Sequence, residues 1–228
     1  MTITLKALAA LLAYPGPELV DALPEIREVV EAERRLGRKE KAALAAMIDD
    51  LASGDVLDAQ EAYVGMFDRG RRTSLHLFEH VHGDSRDRGT AMVDLRGIYE
   101  RAGFVLAGGE LPDYLPAVLE FLSTQPFATT EEMLGDCAHI LRALGEALQE
   151  RASPYAAVPA ALLSLVRQPG LAAVKRDAPA RGEKSIDEEW IEEPVIFGPA
   201  GAPGGCGSAR SQPQSSIVQF MPRTGMPR

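Results

Sequence analysis

Helical periodicity of the apolar residues runs through about the first 170 positions of this chain and constrains its fold more than any other feature. Side chains three and four residues apart share one face of an α-helix, so apolar residues at that spacing predict a helix with one buried face. The clearest such stripe consists of Leu134, Cys137, Leu141, Leu144 and Leu148. No strand-like alternation and no internal repeat interrupts the pattern. We therefore predict an all-α fold.

Prolines, glycines and capping residues divide the pattern into about eight to ten helices of a single bundle. A first helix, with an apolar stripe at Leu5, Leu8, Leu11 and Leu12, ends at Pro15-Gly16-Pro17. The second carries Pro24 as a predicted kink or break. Pro112-Asp113 is predicted to open a later helix. Thr129 and Glu132 form a capping-box pattern that is predicted to open the helix bearing the clearest stripe.

The composition changes at about Lys175, after which proline and glycine make up roughly a quarter of the residues, a level typical of disorder. We predict a helical domain over residues 1–172 and a largely disordered tail over 173–228. Within the tail, residues 186–198 combine the only tryptophan, Trp190, with five acidic residues and an apolar end. This segment is either a docking element or a solvated acidic run.

Charge and cysteine usage narrow the partners and the compartment. A net charge of -9 and a pI near 5.0 argue against nucleic acid or an anionic membrane surface and favour a basic or apolar partner. Cys137 and Cys206 form neither a disulfide framework nor a CxxC motif, which suits a reducing cytoplasm. The apolar start is interpreted as a core helix rather than a secretion signal, and no stretch is long enough to span a bilayer.

The stretch from Tyr63 to Leu95 concentrates three of the four histidines, two arginine clusters and alternating carboxylates. Its spacing predicts a short helix from about Leu75 to His82, with His76 and His80 on the same side. Gly83 and Asp84 then indicate a helix stop followed by the N-cap of the next helix. The stretch is thus predicted to form a sharp polar corner between two helices.

Two functional hypotheses follow from this corner. His76, Glu79 and His80 match H-x-x-E-H, an inverted zinc-protease motif, but no third ligand can be identified. Histidines on a polar helix face are the favoured interpretation, so no catalytic residue, no metal site and no cofactor of the chain's own is expected. The other hypothesis concerns a groove that binds a helical peptide.

That groove would have apolar contacts from Tyr63, Phe67 and Phe78 and a charged rim. The rim would consist of the arginines and aspartates of the same stretch, which are Asp68, Arg69, Arg71, Arg72, Asp84, Arg86, Asp87 and Arg88. The alternative is that these charges form ordinary surface ion pairs, each of which contributes little to stability. Spacing alone favours neither interpretation.

The central stretch resembles the signature of NarJ-type assembly chaperones for respiratory nitrate reductase. The resemblance rests on residues 63–95, and above all on SLHLFEHVHGDSRDRG at residues 74–89. The segments ELPDYLP at 110–116 and LEFL at 119–122 are similar to a second motif of that family, and residues 188–198 to its C-terminal part. In the wider superfamily the second motif often reads E-P-x-D-H. Here Tyr114 follows Asp113, so a role of that histidine cannot be transferred.

This resemblance implies a cytoplasmic, all-helical, system-specific chaperone of the redox-enzyme maturation class that is not an enzyme. Such a protein would bind the apo catalytic subunit of nitrate reductase, recognise its N-terminal segment, and assist molybdenum cofactor insertion before membrane attachment. It would bind no nucleic acid and would not insert into the membrane, and a homodimer is left open. A helical adaptor with another client, or a zinc-dependent hydrolase, is the alternative.

The client segment is expected to lie as an amphipathic helix between residues 63–67 and 75–82, with carboxylates facing its basic side chains. Protonation of the three central histidines would then weaken binding. The candidate client-binding residues are Tyr63, Phe67, Asp68, His76, Phe78, Glu79, His80, His82, Asp84, Arg86, Asp87, Arg88, Asp113 and Tyr114.

Overall fold

Ten α-helices and two short 3-10 helices account for most of the residues that the computed structural model describes, which are 2–81, 86–106 and 109–173. The α-helices are α1 Thr2–Leu12, α2 Pro17–Ala32, α3 Arg38–Ser53, α4 Val56–Phe67, α5 Leu77–Val81, α6 Arg86–Arg101, α7 Leu115–Ser123, α8 Phe127–Asp136, α9 Ala138–Glu150 and α10 Ala157–Leu165. The 3-10 helices are Arg71–Thr73 and Pro154–Ala156. No strand occurs in these ranges, so the predicted all-α fold and the predicted number of helices are confirmed.

The core is built on α1 and α7, which pack against each other, and on α10, which packs against α3 and α9. The apolar stripe of α1, predicted from its spacing, is fully buried at Leu5, Leu8, Leu11 and Leu12. Removing such side chains from water is the main favourable term in folding. Helix α7 therefore has a fixed position in the core, which matters because the chain segment just before it forms part of the candidate site.

The break considered at Pro24 is absent, whereas a kink there stays a prediction, and two other predicted helix boundaries are wrong. Pro24 lies inside α2 without ending it, and Leu23, Ile26 and Val30 are buried along that helix, so packing outweighs the one hydrogen bond that a proline removes. Helix α7 begins at Leu115, after a turn that contains Asp113. The stripe predicted as one helix is split at Cys137, whose ψ angle of 1° is not helical.

The split at Cys137 was invisible in the pattern because the buried residues on its two sides keep the same spacing. Leu134 of α8 and Leu141 of α9 are 1% and 0% exposed. Helix α8 also begins before the predicted capping box, directly after Pro126. Apolar spacing predicts which residues are buried, but it does not show where one helix ends and the next begins.

None of the described helices combines the length and the apolar character needed to cross a bilayer. The domain boundary predicted at residue 172 stays a prediction. The predicted docking segment at 186–198, with Trp190, lies outside the described residues.

Candidate functional site

The chain before α5 runs antiparallel to the chain before α7. His76 and Tyr114 form an isolated antiparallel bridge. The Leu77 amide donates to the Asp113 carbonyl oxygen at 3.0 Å, and the Leu115 amide donates to the Leu75 carbonyl oxygen at 2.8 Å. The helix predicted to start at Leu75 therefore starts at Leu77, because the preceding backbone groups bond to another segment. His76 and His80 consequently do not share one helix.

Asp113 lies at the centre of this junction and is 0% exposed. Its Oδ2 accepts a hydrogen bond from the Phe78 amide at 3.0 Å, and its Oδ1 lies 3.3 Å from His76 Nδ1. Arg88 Nη2 of α6 is 4.0 Å from Oδ2. A buried carboxylate needs such partners to compensate for the loss of water. Asp113 therefore joins α5, α6 and the segment before α7.

Two arginines, Arg71 and Arg88, bind Glu79 of α5. Arg88 Nη2 donates to Glu79 Oε1 at 3.1 Å, and Arg71 donates through Nε and Nη2 to the Glu79 carbonyl oxygen at 2.9 and 2.7 Å. His80 Nε2 lies 2.9 Å from the Ser74 carbonyl oxygen. Burial raises the pKa of Glu79, but the hydrogen bond from Ser74 and the charge of Arg88 outweigh it, so the net pKa is lowered. Glu79 is thus held in its charged form.

A polar cleft of about 430 Å³ opens beside this junction. We call it the Asp68 cleft; it is lined by Phe67, Asp68, Gly70, Arg71, Ser74, His76 and Glu79. Asp68 is exposed and, within the part of the chain that the structure describes, has no ion-pair partner. The cleft therefore presents a carboxylate that is available to a cationic ligand.

An aromatic cluster lies behind the Asp68 cleft. The Tyr63 hydroxyl donates to the Leu12 carbonyl oxygen at 2.9 Å and lies 3.2 Å from the Tyr114 hydroxyl. The Tyr63 ring packs on Phe67 at a centroid distance of 4.7 Å, and Tyr155 lies 5.0 Å from Phe67. Burial is the main cause that raises the pKa of Tyr63, and the hydrogen bond with Tyr114 adds to it. Phe67 lines the cleft although it is only 7% exposed, whereas Tyr63, at 6%, packs behind it and is not part of the lining.

Of the remaining predicted site residues, some lie among the described residues and others do not. Phe78 is half-buried, and Asp87 is exposed in the first turn of α6. His82, Asp84 and the Arg86 side chain lie outside the described residues. The contact roles assigned to all fourteen candidate residues stay predictions.

Gly70, Arg71 and Ser74 belong to the cleft but were not among the candidate residues. The sequence predicts Arg71 only as one of eight charged residues on the rim of a groove. Its bond to the Glu79 carbonyl oxygen could not be foreseen, because a backbone acceptor leaves no trace in the amino-acid sequence.

The zinc-protease motif does not have its required geometry. His76 precedes α5 and lies beside Asp113, whereas His80 is bonded to a backbone carbonyl oxygen. The described residues contain no group of three or more His, Cys, Asp or Glu side chains placed to hold a metal ion. The geometry therefore does not favour a zinc hydrolase.

The contact between His76 and Asp113 predicts a pH dependence of stability. The hydrogen bond with Asp113 raises the pKa of His76 above its ordinary value of 6.5, against the opposing effect of burial. A raised folded-state pKa contributes stability that is complete below the unfolded value and is lost as the pH rises through the folded value. Replacing His76 with glutamine should therefore destabilise the protein more at about pH 5.5 than at about pH 8.5.

Urea denaturation of wild type and His76→Gln at both pH values measures this difference. His139→Gln is the matched control, since His139 is exposed and, among the described residues, its ring hydrogen-bonds only with the carbonyl oxygen of Asp136. A loss of stability that is the same at both pH values for His76→Gln would contradict the assignment.

Comparisons with known proteins agree on one family. The family model described as nitrate reductase delta subunit matches residues 32–160. The nitrate reductase molybdenum cofactor assembly chaperone NarJ of Escherichia coli K12 is 42% identical over 212 residues, which cover 91% of this chain and 89% of that protein. NarW of the same strain is 40% identical over 85% of this chain and 83% of its own length.

NarJ of Bacillus subtilis strain 168 is 30% identical over 74% of this chain and 91% of its own length. Among solved structures, a crystal structure assigned to the redox enzyme maturation proteins, from Archaeoglobus fulgidus, superimposes with a TM-score of 0.54. It covers 74% of this chain and 94% of its own, at 19% identity. At that identity the likeness concerns the fold alone.

Proposed function

This chain belongs to the nitrate reductase delta subunit family, and on that premise we propose that it is an assembly chaperone for nitrate reductase. It binds the apo catalytic subunit in the cytoplasm and assists insertion of the molybdenum cofactor before that subunit reaches the membrane. NarJ and NarW of Escherichia coli K12 are named as assembly chaperones, and we propose no reaction for this chain. The molybdenum cofactor is cargo of the client and not a resident group of the chaperone.

We further propose that the client's N-terminal segment binds at the Asp68 cleft. The observation that carries this proposal is the available carboxylate of Asp68, because a carboxylate without an ion-pair partner at an exposed cleft attracts a basic side chain. Glu79, which pairs with Arg88 at 3.1 Å, is the second carboxylate of the lining. Val81, at the end of α5 and outside the cleft lining, is 52% exposed and offers apolar contact area two residues after Glu79.

Reversing the charge of Asp68 tests this proposal. The Asp68→Lys variant should bind the client's N-terminal segment roughly tenfold more weakly than wild type, because attraction of a basic residue becomes repulsion. Asp94→Lys is the matched control, since Asp94 is an exposed residue of α6 whose side chain makes no ion pair within the described residues. Isothermal titration with a synthetic peptide of the segment gives both affinities.

Co-purification separates the two parts of the proposal. Wild-type chain with an affinity tag should retain the catalytic subunit produced in cells that lack the molybdenum cofactor. If no catalytic subunit is retained, the chaperone function itself is wrong. If the subunit is retained equally by wild type and Asp68→Lys, and the peptide affinity is also unchanged, only the placement at the Asp68 cleft is wrong.

A further inference from the structure

A cavity of about 600 Å³ lies between α3, α9 and α10, and it shares no lining residue with the Asp68 cleft. We call it the Gln149 cavity. Much of its lining consists of six alanines, which are Ala43, Ala46, Ala152, Ala156, Ala157 and Ala160. Met47 of α3, which is 0% exposed, adds a flexible thioether side chain. Because the alanine side chains are single methyl groups, they leave a slot whose volume falls in the range of ordinary ligand-binding pockets.

Gln149 of α9 carries a hydrogen-bond acceptor that has no partner. Its Oε1 is the one buried side-chain nitrogen or oxygen atom without a hydrogen bond among the residues that the structure describes. Buried polar groups are nearly always hydrogen-bonded, because an unmade bond costs free energy. Gln149 also lines the cavity. A ligand that donates one hydrogen bond would therefore satisfy this oxygen.

One wall of the Gln149 cavity is held in place by α9. Leu171, which lines the cavity, packs directly on Gly145, since a Cβ atom added at Gly145 would lie 2.5 Å from Leu171 Cδ2. The next residue fixes the chain there, because the Ala172 amide donates to Glu146 Oε1 at 3.2 Å. The wall therefore exists before a ligand arrives, which reduces the entropy cost of binding.

The charged residues of the lining do not select an ionic ligand. Lys39 stands against Glu40 and Asp50, and both Lys39 and Asp50 are exposed. Most of the other lining residues are apolar. A charged ligand would lose its water in the slot without gaining an opposite charge there, so a neutral ligand fits better.

From this combination we propose that the Gln149 cavity binds a neutral aromatic heterocycle with one N–H donor, of which indole is the simplest. The flat ring would fill the slot between the alanines and contact the thioether of Met47, because sulfur and aromatic rings attract each other. Its N–H would donate to Gln149 Oε1. The proposal goes beyond the proposed function and does not depend on what binds the Asp68 cleft.

Two sources can supply this chemistry. One is a free small molecule. The other is the chain itself, whose only tryptophan is Trp190. Trp190 lies outside the described residues. Because the chain has a single tryptophan, its tryptophan fluorescence reports on one ring alone, and Trp190→Phe removes that source.

The first measurement uses the full chain carrying Trp190→Phe, which contains no tryptophan. Indole is the probe, and indene, which has the same ring shape but no N–H, is its control. Chemical-shift titration by NMR gives both affinities. The chain should bind indole about tenfold more tightly than indene, because indene leaves Gln149 Oε1 unpaired.

Four further changes in the Trp190→Phe chain locate the binding. Gln149→Met removes the acceptor and should make the affinities for indole and indene equal, whereas Gln125→Met, between α7 and α8, should keep the preference for indole. Ala46→Phe fills the slot and should weaken indole binding by about tenfold or more. Ala42→Phe is its matched control, because Ala42 is an exposed residue of α3 outside the lining, and should change the affinity by less than about threefold.

A second measurement identifies the source of the ring. If Trp190 occupies the cavity, its fluorescence in the folded wild-type chain should lie at shorter wavelength than in urea, and Ala46→Phe but not Ala42→Phe should abolish that shift. Wild type should then also bind indole at least about tenfold more weakly than Trp190→Phe, because its own ring competes at a high effective concentration. Unshifted fluorescence together with equal indole affinities of the two chains assigns the site to a free ligand.

Three results would overturn the proposal. The first is a failure of folded Trp190→Phe to bind indole, and the second is equal binding of indole and indene by that chain. The third is unchanged indole binding after Ala46→Phe. Circular dichroism and thermal unfolding check that every variant is folded. None of these measurements involves the client's N-terminal segment or co-purification of the catalytic subunit, so this proposal and the proposed function fail separately.

Discussion

Replacing Asp113 with alanine should lower the free energy of unfolding by about 4 kcal/mol, because it leaves a buried junction without its anion. Three groups lose a contact with the carboxylate at once: the Phe78 amide, the His76 ring and, at longer range, Arg88, which keeps its pair with Glu79. Asp113 is fully buried, so water cannot replace the carboxylate without a rearrangement. Urea denaturation followed by circular dichroism measures the change.

The aspartate-to-asparagine exchange refines this prediction. Asp113→Asn keeps the size and one acceptor oxygen, so it should cost about 2 kcal/mol, less than alanine. Asp94→Ala removes an exposed carboxylate of α6 and should change stability by less than about 0.5 kcal/mol. If Asp113→Ala were no more destabilising than Asp94→Ala, Asp113 would not hold the junction.

Replacing Tyr63 with alanine should cost about 4 kcal/mol, as expected for removal of a large buried aromatic side chain. The ring contacts Tyr14, Phe67 and Tyr155 at centroid distances between 4.7 and 6.0 Å. The more informative change is Tyr63→Phe, which removes only the hydroxyl that donates to the Leu12 carbonyl oxygen. That change should cost about 1 kcal/mol.

The Tyr63→Phe variant also tests the role predicted for Tyr63 in client binding. If Tyr63 shapes the Asp68 cleft from behind, Tyr63→Phe should bind the client's N-terminal segment with the same affinity as wild type. The exposed Tyr14, also in contact with the Tyr63 ring, provides the comparison variant Tyr14→Phe. A selective loss of peptide affinity in Tyr63→Phe would show that its hydroxyl contacts the client directly.

Much of the fold could be predicted from the amino-acid sequence because helices depend on local spacing. The stripe of α1 was predicted correctly, and it is fully buried at Leu5 and Leu8. The Asp55 N-cap of α4, which accepts from the Leu57 amide, also follows from a local rule. The errors occurred at Cys137 and at the starts of α5 and α7, where a turn or a distant segment determined the backbone conformation.

In the candidate site, too, local features could be predicted from the sequence, whereas contacts between distant segments could not. Spacing and motif resemblance singled out His76, Glu79, Arg88 and Asp113, because those residue types are concentrated in two short stretches. The contact between the stretches could not be derived, since His76 and Asp113 are 37 residues apart. The lack of an ion-pair partner for Asp68 within the described residues could not be derived either. It depends on which carboxylates the arginines contact in the folded chain, and Arg88 contacts Glu79 and Asp113.

The amino-acid sequence by itself therefore determined the helical class, the buried stripes and the acidic character of the chain. Each of these depends on neighbours within a few positions or on composition. The tertiary structure alone decided that Asp113 is buried beneath α5, that Tyr63 supports the Asp68 cleft from behind, and that Gln149 lines a cavity between α3, α9 and α10. The physical reason is that burial and pairing of a polar group depend on residues brought together by packing of helices far apart in the chain.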